Sequence, residues 1–294
     1  MTVTSVHTSK KPSWLKVKLP THDNFFYVSH LLEDKNLNTI CQSAKCPNVA
    51  ECWSHKTATF LILGDTCTRS CSFCSVKKGS PASLIDNEPE KTAEAIVAMG
   101  LQYAVITSVT RDDLPDGGAN HFARTLETVR KRAPEVKVEV LIPDFQGNEA
   151  DLKTVMAAKP DIINHNIEVP ENIYSLINRP VTNYQRSLWI LSKSKEMGAT
   201  TKSGLMVGMG EQRKDILRTL SDLRSASCDL LTIGQYLQPT KQNAPIKRYY
   251  TPEEFDDLRQ LALAYGFNQV ESGPLVRSSY RAHKMFENLN TKAE

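Results

Sequence analysis

The chain has 294 residues, of which 40% are hydrophobic and 23% charged, with a formal net charge of +3. That balance is typical of a water-soluble globular protein, and so small an excess of positive charge gives no argument for nucleic acid as a partner. No apolar run reaches about 18 residues, which excludes a membrane-spanning helix.

Residues 1–10 are polar and expected to be disordered. From Lys11 to Ala58 runs an extension of mixed polarity, with a helix predicted over 24–37 whose apolar side is Phe25, Phe26, Val28, Leu31 and Leu32. The extension carries CQSAKCPNVAEC, with cysteines at 41, 46 and 52, and is expected to fold over one end of the core. From Thr59 a strand–helix alternation sets in. TATFLIL is the first strand and runs into the loop CTRSCSFC, with cysteines at 67, 71 and 74. Strands at 104–109, 136–142, 161–168, 201–208 and 230–237 then alternate with helices at 89–99, 121–132, 149–158, 184–197, 213–226 and 252–265. Gly100 and Gly198 stand where helices end, and Pro252 lies in the first turn of the last helix. Six strands alternating with helices predict an α/β fold with a parallel sheet and crossover helices. Pattern alone does not separate an open sheet from a barrel. In either, chemistry collects at the carboxyl ends of the strands. The distinctive segments fall there: the cysteine loop, TRDDLPDGG, PDFQGN, NHNIE, GMGE and QPT.

Six of the seven cysteines lie in these two triplets. Disulfides belong to oxidising compartments, and nothing here resembles a secretory signal; the thiols point instead to a reducing cytoplasm. Structural zinc usually takes four ligands, often as two close pairs, and neither triplet supplies a fourth. Iron–sulfur ligation, in which thiolates hold a cluster and one iron is left for another ligand, fits two incomplete triplets best. Cys228 lies outside both patterns and reads as a buried thiol packing as a small hydrophobe.

The second triplet, C-x3-C-x2-C on a loop after a strand and with Phe73 just before its third cysteine, resembles the signature of the radical S-adenosylmethionine (SAM) superfamily. The resemblance implies a partial (β/α)6 barrel of the TIM type with the cluster loop after its first strand. It also implies that Cys67, Cys71 and Cys74 hold a 4Fe-4S cluster whose open iron is chelated by SAM, and that Phe73 lies near SAM. Cleavage of SAM then yields a 5′-deoxyadenosyl radical that takes hydrogen from an unactivated carbon. The cofactor supplies the difficult chemistry, while the protein binds, orients and excludes water. The first triplet, C-x4-C-x5-C, narrows the likeness. With PSWLKVKLP, VTRDDLPDGGA, GLMVGMGE, GQYLQPT and RSSYRA, the chain resembles the lipoyl synthase family over nearly its whole length.

That second resemblance implies insertion of two sulfur atoms, at carbons 6 and 8 of an octanoyl group amide-linked to a lysine of a lipoyl carrier domain. Such domains belong to 2-oxoacid dehydrogenase acyltransferase subunits and the glycine cleavage H protein. It implies a second, auxiliary 4Fe-4S cluster on Cys41, Cys46 and Cys52, consumed as the sulfur donor. A serine of RSSYRA would complete that cluster: Ser279, with Ser278 the alternative. An alkoxide is a weak iron ligand and can leave as the cluster is dismantled. A reductant such as ferredoxin or flavodoxin and an iron–sulfur cluster carrier are implied too, with no nucleic acid or membrane. The implied organisation is an extension over 1–58, a barrel over 59–272 and a C-terminal segment over 273–294.

By the same resemblance Asp113, Gly117 and Gly118 belong to a segment receiving the methionine end of SAM, although a glycine turn before the helix at His121 explains the pair equally. GLMVGMGE places Met206 on a strand beside the adenine; a plain strand ending in a glycine turn reads the same way. Asn164, Asn166 and Glu168 are candidates for the ribose hydroxyls, against a capping role. His165 is given no ligand role. Arg277 is a candidate to pair with cluster sulfide or with a carboxylate, against an ordinary surface salt bridge. Arg281 stands where the family often has histidine, so it is given no chemistry. Arg130, Lys131 and Arg132 read as a solvated helix end, and Lys16, Lys18 and Arg248 as contacts to an acidic carrier. Two other functions compete: a radical SAM enzyme inserting sulfur into a small molecule, and a zinc-dependent RNA-binding module.

Overall fold

The computed structural model describes residues 11–17 and 19–290. The expected disorder of residues 1–10 and the carrier contact at Lys18 lie outside them. The strands are β1 Asn38–Thr39, β2 Thr59–Ile62, β3 Thr66–Cys67, β4 Lys77–Lys78, β5 Tyr103–Ser108, β6 Lys137–Leu141, β7 Ile162–Asn164, β8 Thr201–Val207, β9 Leu230–Gln235 and β10 Gln269–Gly273. The helices are α1 Asp23–Asp34, α2 Ile40–Ser43, α3 Val49–Ser54, α4 Glu88–Met99, α5 Ala119–Arg132, α6 Glu149–Ala157, α7 Thr182–Glu196, α8 Arg213–Ser225, α9 Pro252–Ala264 and α10 Ala282–Asn290.

Eight strands form one sheet in the order β1-β2-β5-β6-β7-β8-β9-β10. All neighbours pair in parallel except β1, which is antiparallel to β2 through Asn38↔Leu61 and Thr39↔Phe60. The sheet does not close. Strand β2 is buried at all four positions, as expected of a parallel strand covered on both faces. Helix α5 shows how the crossovers form: Phe122, Leu126 and Val129 are spaced to make one buried stripe. Helix α9 begins with a reciprocal capping box between Thr251 and Glu254, and α4 ends at Gly100, whose φ of 65° only glycine adopts freely.

The six expected strands and seven expected helices are present, and the structure adds to them. β10 is a seventh parallel strand. Only Val270 is buried along it, because an edge strand needs no continuous apolar run. β3 and β4 form a two-residue parallel clip beneath the cysteine loop. Helix α10 closes the amino-terminal mouth of the sheet: Met285 packs with Ile162 and Leu230, and the Phe286 ring lies 5.6 Å from that of Tyr103. Those three partners open β7, β9 and β5. The opposite end, where the strands terminate, is thereby left to the loops. No helix among the described residues is long and apolar enough to cross a membrane.

Between the two ends the interior holds a buried ion pair. Lys202 Nζ donates to both oxygens of Glu139 at 3.0 Å, Asn164 Nδ2 donates at 2.7 Å and Tyr103 Oη at 2.8 Å. Both charges are wholly shielded from solvent, so each depends on the other. Lys202→Met is expected to cost about 3–5 kcal/mol by stranding the carboxylate, and Glu139→Gln/Lys202→Met to recover most of that loss. Urea unfolding of the single and double variants measures both.

Candidate functional site

The strand ends enclose a cavity of about 350 Å³ whose wall includes Cys41, Cys46, Cys67, Cys71, Cys74, Ser278 and Ser279. Segments far apart in the chain thus meet at one place. Cys41 sits on α2, whose amino end is capped by Thr39 Oγ1 accepting from the Gln42 amide. A turn brings Cys46 round, its amide donating to Cys41 O at 2.9 Å. Cys52 lies on α3 and is not part of the wall, yet it lies within electrostatic reach of Cys41 and Cys46. Asn48 Nδ2 donates to Leu275 O at 2.7 Å, which ties this segment to the one carrying the two serines. Both serines border the cavity, and its geometry does not choose between them.

The second triplet is pinned from several sides. Thr68 Oγ1 donates to Thr110 O and accepts from the Asp112 amide. Asn243 Nδ2 donates to the carbonyls of Ser72 and Cys74, each at 3.0 Å. Ser75 Oγ donates to Ser43 O at 2.9 Å, linking the two cysteine segments directly. Between Cys67 and Cys71, Arg69 forks: it donates to both oxygens of Asp112 at 2.7 and 2.9 Å and to Asp144 Oδ1 at 2.6 Å. Arg69 was overlooked in the sequence because its partners lie on the loops after β5 and β6.

Burial pushes the thiols up: Cys41 and Cys74 to about 11, Cys52 to about 12, and Cys46 and Cys71 upward. Donors nevertheless surround them. The amides of Thr59, Asn48 and Val76 favour the anions of Cys41, Cys46 and Cys74, and the Arg69 amide donates to Cys67 Sγ at 3.4 Å. Trp53 Nε1 is buried without a hydrogen-bond partner and lies near enough to Cys41 to favour its thiolate. A neutral thiol needs no such donors. Burial outweighs these donors until metal binds, so loading metal must release protons. Among the described residues, no three His, Cys, Asp or Glu side chains are arranged to hold a single metal ion. Five thiols on one cavity wall, with Cys52 close behind, suit multi-iron clusters, which span more space than one ion.

Phe73, Glu168 and Met206 line the cavity, as does Asn166. Glu168 is half-buried; burial raises its carboxyl to about 7 while Arg179, 4.0 Å away, opposes the rise. His165 is also in the wall, neutral because burial lowers it to about 4. Its Nδ1 donates to Ile142 O at 2.8 Å. Asp113, Gly117, Gly118 and Asn164 do not line the cavity. Asp113 pairs with Arg111, Gly117 and Gly118 form the turn into α5, and Asn164 belongs to the Glu139–Lys202 pair. Arg248 is committed to Glu254 and stacked on Tyr250, Lys16 is exposed, and Cys228 is fully buried.

Residues 61–223 match the radical SAM superfamily. A protein of Chloroflexus aurantiacus named lipoyl synthase is 49% identical over 281 residues, covering 95% of this chain and 92% of its own length. Another of that name, from Chlorobium chlorochromatii, is 52% identical over 282 residues, covering 95% and 96%. The chain belongs to the lipoyl synthase family. Membership of that family brings sulfurtransferase activity, SAM and 4Fe-4S clusters, and does not favour a small-molecule sulfur-inserting enzyme outside it. The fold is shared more widely: SuiB of Streptococcus suis bound to S-adenosylmethionine has a TM-score of 0.56 at 12% identity, over 78% of this chain and 54% of that one.

In the cavity wall Asp144, fully shielded from solvent, pairs with Arg69 and Arg186. Burial alone would raise its carboxyl, but hydrogen bonding to Arg69 and the guanidinium charge hold it well below the usual carboxylate range. A depressed folded value contributes stability above the unfolded value of about 3.9 that is lost as pH falls toward the folded one. Asp144→Asn is expected to cost about 3–5 kcal/mol near neutral pH and to flatten the acid limb of the stability curve. Urea titrations across that pH range test both.

Proposed function

We propose that this chain inserts two sulfur atoms at carbons 6 and 8 of an octanoyl group carried on the lysine of a lipoyl carrier domain. The observation that carries the reading is the meeting, on one cavity wall, of Cys41 and Cys46 from the first triplet, all three thiols of the second, and both serines. Cys67, Cys71 and Cys74 would hold the cluster that binds SAM, and Cys41, Cys46, Cys52 and Ser279 the auxiliary one. When bound, these groups supply the electron that cleaves SAM and the sulfur that enters the substrate.

The chain's own residues bind, orient and exclude water. Phe73, Leu205, Met206 and Tyr236 give the cavity an apolar side, suited to an alkyl chain whose C–H bonds no acid or base activates. Glu168, Asn166 and Arg179 give it a polar side, suited to the charged and hydroxyl groups of SAM. Asn166 Oδ1 is buried without a partner and lies over Gly204, where a Cβ would stand 2.6 Å from it; a hydroxyl donor would satisfy it. Asp113, Gly117 and Gly118 act at one remove, through the loop they brace. Ser279, as a weaker ligand than a thiolate, would release one iron as sulfur leaves.

The carriers would be acyltransferase subunits of 2-oxoacid dehydrogenases and the glycine cleavage H protein. Ferredoxin or flavodoxin would supply electrons, and an iron–sulfur carrier would restore the spent cluster. Anaerobic assays with an octanoylated carrier domain separate the two halves of the site. Cys71→Ala is expected to abolish both 5′-deoxyadenosine formation and sulfur transfer. Cys46→Ala and Ser279→Ala are expected to keep 5′-deoxyadenosine formation while sulfur transfer falls by roughly 10- to 100-fold or more. Full transfer by Ser279→Ala together with loss in Ser278→Ala would move the ligand to Ser278.

A further inference from the structure

Within the segment TRDDLPDGGA only Thr110 lines the cavity, and the residues from Arg111 onward stay outside it. The segment's residues converge instead on Leu63, the residue by which the chain leaves β2 for the cysteine loop. Leu63 has a φ of 70°, a left-handed conformation that a branched, bulky side chain adopts only when its surroundings impose it. Each of its groups is held. Its amide donates to Glu88 Oε2 at 2.8 Å, and the same oxygen contacts His121 Nε2 at 2.7 Å. Its carbonyl accepts from Arg111 Nη1 at 3.1 Å. Its side chain lies against Gly118, where an added Cβ would collide with Leu63 Cδ1. Leu63, Glu88, Arg111 and His121 are all buried. Arg111 is in turn oriented by Asp113, which accepts from Nε and Nη2 at 2.9 Å each.

We propose that Arg111, Gly118, His121 and Glu88 form a clamp that forces Leu63 into this conformation and thereby aims the loop bearing Cys67, Cys71 and Cys74 at the cavity. They are positioning residues for the SAM-binding cluster and touch neither the cluster nor substrate. Only three residues lie between Leu63 and Cys67, so a backbone that relaxed at Leu63 would swing the first thiol away from the other two. The clamp explains why glycine stands at 118: a side chain there would occupy the space that Leu63 fills. It also explains why a buried glutamate opens α4, since its carboxylate must accept from a backbone amide and an imidazole together. The first triplet, which precedes β2, lies upstream of the clamp and does not depend on it.

This inference rests on the two-cluster reading above, and its test uses that reading as an internal control. Two parent chains are made, one with Cys41, Cys46 and Cys52 changed to Ala and one with Cys67, Cys71 and Cys74 changed to Ala, and Glu88→Ala is added to each. After anaerobic loading with iron and sulfide, iron per chain and the cluster's electron paramagnetic resonance signal are recorded. Glu88→Ala is expected to lower iron retention at the Cys67 triplet by roughly tenfold and to leave the Cys41 triplet loaded. Leu63→Gly, which reaches a φ near 70° without strain, is expected to restore part of the loss. If Glu88→Ala does not fold, Gly118→Ala tests the same contact in its place. Equal loss in both parents, or a loss that Leu63→Gly does not restore, would overturn the clamp. Failure of either unmodified parent to hold a cluster would overturn the two-cluster reading instead.

Discussion

The site depends on a single short strand. β2 is four residues long and buried throughout, and both thiol triplets hang from it. The first is held upstream because β1 pairs with Phe60 and Leu61 and leads directly into α2 and Cys41. The second begins downstream, where Leu63 turns out of the sheet toward Cys67. Phe60, Leu61 and Ile62 are buried on both faces of the strand, between β1 and β5, which pair with it in register. The two triplets are thus joined through this strand and through the hydrogen bond from Ser75 Oγ to Ser43 O.

Around it the energetics run against ionised sulfur until metal arrives. Burial raises every shifted thiol among the six, yet amide donors from Thr59, Asn48, Val76 and Arg69 are already aimed at sulfur. The fold thus carries the cost of preorganisation in advance, and the free energy of metal binding repays it. Charged side chains are treated the same way. Arg69 is satisfied by Asp112 and Asp144, and Glu139 by Lys202, so the charges inside the sheet hold loops and strands in place. Arg277 is the exception: it lines the cavity, donates only to Val276 O among the described hydrogen bonds, and lies within electrostatic reach of the Cys46 sulfur.

Much of this was legible in the sequence, for identifiable reasons. The strands that form the body of the sheet are runs of buried apolar residues, and their helices carry stripes, glycine stops and proline starts; both signals are local. The cysteines were legible by spacing, because ligation of one cluster by a loop constrains sequence separation. What could not be read is non-local. Edge strand β10 reads QVESG and buries one side chain. The Arg69 fork joins residues 43 and 75 positions apart, and no local pattern marks it. The glycines at 117 and 118 could be recognised as conformationally special, but that they approach Phe145 and Leu63 respectively, rather than a ligand, is decided by tertiary packing. Asn164 looked like a ribose contact because it ends a strand, whereas its side chain turns inward to Glu139.

The account's central claim is that sulfur reaches the substrate from the cluster held by Cys41, Cys46 and Cys52. The most direct measurement loads the protein with sulfur-34 sulfide, adds unlabelled octanoylated carrier domain, SAM and reductant under anaerobic conditions, and weighs the carrier intact after a single turnover. The account predicts that the carrier gains two sulfur atoms, both heavy, from one protein chain. Formation of 5′-deoxyadenosine with a carrier that gains only light sulfur, or none, would contradict it.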